Sequence, residues 1–166
     1  MKSYWLKQLL LFIFLLLVAC AVNFFIVNSF LVIENIILKQ LVTILLISII
    51  LLACNQLLYN YAKKETKFMQ HPIWNKMFII LLLWLMISFL TFILLFFMTP
   101  LGGFFSKHAW LMFIVVYYFL FFINLFVLSM VHKLIETSVK IEKKLLITWV
   151  SSSLLIAIVL FMLPSI

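Results

Sequence analysis

The sequence predicts an all-α fold, a polytopic integral membrane bundle of five transmembrane helices with the N-terminus inside and the C-terminus outside. Three observations carry this. Of 166 residues, 69% are hydrophobic and 10% charged, where a soluble domain carries about 25% charged residues. Apolar runs of about 20 residues, the length that crosses a bilayer, recur along the chain. Lysines crowd into alternate connections between those runs.

The whole chain, 1–166, reads as a single transmembrane domain with spans at about Leu9–Asn28, Leu41–Tyr59, Met77–Met98, Ala109–Met130 and Leu145–Leu163. Lipid offers no partner for backbone N–H and C=O groups, so a span outside a closed barrel must be helical. None of the segments alternates polar and apolar residues as barrel strands do.

Lys2 and Lys7 precede the first span. Lys63, Lys64, Lys67 and Lys76 join the second to the third, and Lys133, Lys140, Lys143 and Lys144 join the fourth to the fifth. The other side receives Lys39 and Lys107. By the positive-inside rule the lysine-rich side is cytoplasmic. Trp5, Tyr59, Tyr61 and Trp74 fall near that boundary and Trp110 near the opposite one, as interfacial aromatics do. Trp84, Tyr117 and Tyr118 fall deeper, where packing between helices must supply partners for their polar atoms.

Two connections carry local signals. "MTPLGG", Met98 to Gly103, is a turn, with Pro100 fixing one dihedral and two glycines allowing positive ones. "HKLIETSVKIEKK" places Glu136 four residues before Lys140, the favourable helical order. It reads either as a helix along the headgroups, with lysines toward anionic lipid, or as a solvated charged loop. Lys63, Lys64, Lys67, Lys140, Lys143 and Lys144 are the expected headgroup contacts.

"LVAC", Leu17 to Cys20, resembles the lipobox of bacterial lipoproteins, which implies cleavage before Cys20 and lipidation of that residue. The apolar run continues through "AVNFFIVNSFLVI" instead of turning polar. Cys20 would also lie about 17 Å into a core about 30 Å thick, too deep for a processed end. Ala19, Cys20 and Ala21 are better read as small residues that permit close helix contact. A Cys20–Cys54 disulfide is disfavoured by a depth difference of about 7 Å, at the limit of what its geometry tolerates.

The same helical rise, about 1.5 Å per residue, sets Asn55, Gln56, Asn124, Ser151, Ser152 and Ser153 in one layer roughly 7–12 Å inside the lysine-rich boundary. Polar groups at that depth are costly facing lipid. They either bond across the helices or line a wet pocket. Small residues sit on the first, second and fifth spans (Ala19, Ala21, Ala53, Cys54, Ser153, Ala157), so those three are expected to meet closely. The third and fourth are expected to face lipid or a partner.

Composition and spacing narrow the chemistry. All twelve cations are lysines, and without Arg the basic charge does not read as a nucleic-acid footprint. Asp is absent, which excludes a paired-aspartate intramembrane peptidase. His71, His108 and His132 are too dispersed to hold a haem between helices, and no pair of ligands has metal spacing within one helix. Neither a catalytic residue, a metal nor a cofactor is expected. Glu34 reads as a turn carboxylate, and His132 as a residue suited to a helix C-terminus.

The function expected is that of a non-catalytic accessory subunit of a membrane transport or export complex, in contact with anionic lipid and with another membrane protein or further copies of itself. A stand-alone self-immunity or stress protein is one alternative. A small carrier or lipid-modifying enzyme using the inner polar layer is another. The expected location is a bacterial plasma membrane, with an organellar inner membrane as the alternative, because the Phe, Ile, Leu, Lys and Asn richness fits an AT-rich genome.

Overall fold

A computed structural model describes residues 2–27, 36–65, 68–100, 103, 105, 110–135 and 139–162. Among them five long helices build the fold: α1 (Lys2–Val27), α2 (Ile36–Lys64), α3 (Trp74–Met98), α4 (Trp110–Leu134) and α5 (Ile141–Met162). All five are long and apolar enough to cross a membrane, and the described residues contain no strand. The chain is therefore a multi-pass membrane protein in architecture. Asn28, Ala109 and Leu163, which bound three of the spans drawn from sequence, lie outside the described residues, as do Glu34, Lys67, Lys107, His108 and Glu136.

The helices run past the apolar stretches at the lysine-rich end. α2 has 29 residues, about 44 Å at the helical rise, and so outreaches a hydrocarbon core of about 30 Å. Its last turn holds Lys63 and Lys64, cations that suit the negative pole of a helix C-terminus. Lys64 rests its ammonium 4.8 Å from the ring centroid of Tyr4. Gln8 donates to the Leu57 carbonyl at 3.4 Å, fixing the start of α1 beside the end of α2. At the opposite end Gln40 donates to the Leu160 carbonyl at 3.2 Å, pairing the start of α2 with the end of α5.

Local chemistry sets the helix ends. Thr99 terminates α3 in an extended conformation (φ −125°, ψ 160°), the region imposed on a residue that precedes proline. Its hydroxyl and N–H both turn back to the Leu95 carbonyl, at 2.5 and 3.1 Å. Between α2 and α3 the chain makes a short 3₁₀ turn, Phe68–Gln70. Trp74 is buried beneath this turn, its indole N–H donating to the Phe68 carbonyl at 2.7 Å. Between α4 and α5 the helical reading does not hold through the described part: the chain bends at Ile135 and Val139 and is irregular at Lys140. The Lys140 carbonyl instead accepts the N–H groups of Lys143 and Lys144, opening α5 afresh.

The packing corrects the expected arrangement of spans. α2 and α5 form the closest seam, but α4 lies at the centre and contacts all four other helices. α1 packs on α2 and, more thinly, on α4. The contact uses Leu11, Leu15 and Val18, while Cys20 and Ala21 are exposed. Small residues are only one way to bring helices together. α4 does it with buried Leu120, Leu125 and Leu128, which join Leu51, Leu58 and Leu145 in two core clusters, and it also buries Val127 and Val131. Cys20 and Cys54 are free thiols.

The deep aromatics find partners. Tyr117 donates to the Leu15 carbonyl at 2.9 Å, tying α4 to α1. The Tyr118 oxygen accepts the Trp84 indole N–H at 2.8 Å and pairs with the Ser88 hydroxyl at 2.8 Å, tying α4 to α3.

Candidate functional site

One face of α5 carries Lys144, Leu145, Thr148 and Ser152, all buried. A spacing of four places 144, 148 and 152 one above another. Thr148 turns its hydroxyl onto the Lys144 carbonyl of its own helix at 2.8 Å, the standard way for a buried threonine to satisfy itself within a helix. Ser152 reaches outward to α4 and donates to Asn124 Oδ1 at 3.3 Å. Asn124 Nδ2 donates to Asn55 Oδ1 on α2 at 2.7 Å. Asn55 Nδ2 then donates to the Leu145 carbonyl at 3.0 Å, back on α5.

The chain of donors therefore closes: α5 to α4, α4 to α2, α2 to α5. Asn124 and Ser152 are fully buried and Asn55 nearly so. Among the described residues no buried side-chain nitrogen or oxygen lacks a hydrogen-bond partner. In a low-dielectric interior such a circuit is favourable only when complete, because each orphaned group would carry its full desolvation penalty.

Three members of the layer drawn from sequence are thus joined, and three are not. Ser153 turns to a different seam and pairs with Ser48 at 3.2 Å. The Trp149 indole supports that seam by donating to the Ser48 carbonyl at 2.9 Å. Ser151 is exposed. Gln56 is also exposed and donates to Asn60 Oδ1 at 3.3 Å. Neighbours in sequence on a helix point about 100° apart, so adjacent polar residues cannot all share one interface.

Gln56 belongs instead to an open groove of about 400 Å³ between α2 and α5, with Asn55 at its wall. Tyr59 and Glu142 also line it, and the Tyr59 hydroxyl donates to Glu142 Oε1 at 3.2 Å. The remaining lining is apolar: Leu52, Leu145, Leu146 and Trp149. Sequence reasoning missed this groove because its polar members are 83 or more residues apart from their partners across the seam.

The lysines expected at headgroups divide. Lys63, Lys64, Lys140 and Lys143 are exposed at the lysine-rich end, and Lys67 is outside the described residues. Lys144 is 2% exposed, with its ammonium 3.4 Å from His132 Nδ1. For that contact to be a hydrogen bond from an ammonium, Nδ1 must carry the lone pair. Trp74 lies against the same imidazole, ring centroids 5.4 Å apart. No family model, curated protein or solved structure matches the chain.

Proposed function

We propose that the protein is a non-catalytic helical subunit of a larger membrane assembly of the transport or export type, held in it by helix packing. The observation that supports this is the closure of the polar circuit. Ser152, Asn124 and Asn55 spend their donors on one another and on the Leu145 carbonyl, so the deepest polar groups fasten α2, α4 and α5 and leave no orphaned group aimed at a substrate. The outward faces are apolar: α1 buries Leu15 alone among its described side chains, and α3 buries Trp74 and Leu81. A thinly packed α1 and a largely exposed apolar face of α3 suit a protein that completes its packing against another membrane protein.

In this reading the lysine-rich end faces the cytoplasm, in a bacterial plasma membrane, and Lys63, Lys64, Lys140 and Lys143 meet anionic headgroups. The deciding experiment is native mass spectrometry of the protein gently extracted from its own membrane. A stoichiometric partner of transport or export type would accompany it. Recovery of the full-length chain alone would overturn the subunit reading and favour stand-alone immunity or carriage.

A further inference from the structure

Several donors around the α2–α5 groove are already engaged. Tyr59 gives its proton to Glu142, Asn55 gives its amide to the Leu145 carbonyl, Gln56 to Asn60, and Trp149 to the Ser48 carbonyl. The lining also offers acceptors: the Glu142 carboxylate, which has room for further hydrogen bonds beyond the one from Tyr59, and the Gln56 carbonyl. A headgroup that donates a charged N–H therefore matches the carboxylate of the lining. The charged residue of the lining is a carboxylate, so a purely anionic headgroup is repelled there even though the surrounding surface is rich in lysine.

The groove is also built for an amphiphile. About 10 Å of helix separates Glu142 from Trp149, and between them lie Leu145 and Leu146, with Leu52 opposite on α2. Tyr59 and Glu142 sit at the lysine-rich end, while Asn55 and Gln56 lie deeper among the apolar members. At the polar end Lys63 holds its ammonium 5.8 Å from the Tyr59 ring centroid, a cation beside the tyrosine that bonds Glu142. The helix dipole alone favours a carboxylate in the first turn of α5. It does not account for a groove whose apolar floor continues below the charge.

We infer that the groove between α2 and α5 is a binding site for a phospholipid bearing a primary ammonium, of the phosphatidylethanolamine class, with its ammonium on Glu142, its phosphate toward Lys63 and an acyl chain along Leu52, Leu146 and Trp149. This goes beyond the subunit reading and stands whether or not a partner exists. The test is native mass spectrometry of the purified full-length protein given equal amounts of phosphatidylethanolamine, phosphatidylglycerol and phosphatidylcholine with identical acyl chains.

The wild type should retain one phosphatidylethanolamine about tenfold more than either competitor, the ratio expected of one charge-assisted hydrogen bond. Glu142→Gln should bring the three lipids to near parity. Leu52→Trp, a change at an exposed position, should fill the groove and lower retention of all three while helicity is unchanged. Equal retention by the wild type overturns the proposal, as does a preference that survives in Glu142→Gln. Phosphatidylcholine bound as well as phosphatidylethanolamine would also overturn it, since a trimethylated ammonium has no N–H to give. Preference for phosphatidylglycerol would show that surface lysines, and not the groove, select the lipid.

Discussion

Asn124 on α4 donates its amide to the Asn55 carbonyl oxygen on α2 across 2.7 Å, and both residues are buried. The bond is the middle link of the circuit that begins at Ser152 and ends at the Leu145 carbonyl. Hydrogen bonds between helices in a membrane contribute about 0.6 kcal/mol on average and at most about 1.7. Removing one partner costs more, because the group left behind is stranded at about 1–3 kcal/mol.

Asn124→Leu should therefore destabilise the bundle by about 2 kcal/mol, stranding both Asn55 Oδ1 and the Ser152 hydroxyl. Asn55→Leu should cost a similar amount. The double variant should cost less than the sum, with a coupling of about 1 kcal/mol, the size expected of residues in direct contact. Reversible unfolding in mixed micelles measures all three. Strict additivity would show that the two carboxamides do not act as one unit.

How much of this was legible beforehand follows from particular residues. The five helices were readable because a lipid-exposed backbone has no other solution, and runs of about 20 apolar residues announce it. Helical rise alone set Asn55, Asn124 and Ser152 at one level, where their hydrogen bonds join them. Rotation about the helix axis was not readable: the depth ruler could not separate Ser152, which faces α4, from Ser151, which is exposed. The central place of α4 was hidden as well. Small residues advertise close approach, whereas the Leu and Val packing of α4 depends on shape that no spacing rule encodes.

The α2–α5 seam should accept a covalent staple. Ser48 and Ser153 hold their hydroxyl oxygens 3.2 Å apart, so cysteines at the two positions should bring their sulfurs within reach of one another. Ser48→Cys with Ser153→Cys, in a background where Cys20 and Cys54 are serine, should oxidise within one chain. Mass spectrometry of the non-reduced peptides would detect the link. Its absence under mild oxidant would mean that α2 and α5 do not meet in this register.

α3 should be loosened through a single oxygen. Tyr118→Phe removes the acceptor of the Trp84 N–H and the partner of the Ser88 hydroxyl. The expected loss is about 1–2 kcal/mol, concentrated in α3. Hydrogen exchange in micelles should then rise over Trp74–Met98 and much less over α5. Uniform acceleration across the bundle would argue that α3 and the core open together.

Membrane orientation is open to a direct probe. With both native cysteines replaced, Lys143→Cys at the lysine-rich end and Thr99→Cys at the other should differ in reaction with an impermeant thiol reagent on intact cells. The positive-inside rule predicts labelling of position 99 only, with position 143 reacting after lysis. The reverse pattern would invert the bundle.

Lys144 should tolerate the loss of its charge. It lies 2% exposed with His132 as its polar neighbour, and a buried ammonium facing an imidazole gains far less than one facing a carboxylate. Its long aliphatic stem is nevertheless buried with it and fills space. Lys144→Met keeps most of that volume and discards the charge, so stability should be unchanged or rise by about 1 kcal/mol. Lys144→Ala should lose about 2 kcal/mol through the cavity it leaves. Lys143→Met, at an exposed neighbouring position, should leave stability within about 0.5 kcal/mol. Unfolding midpoints of the three variants decide the matter. A large loss in Lys144→Met would mean that the ammonium itself, through His132, holds the ends of α4 and α5 together.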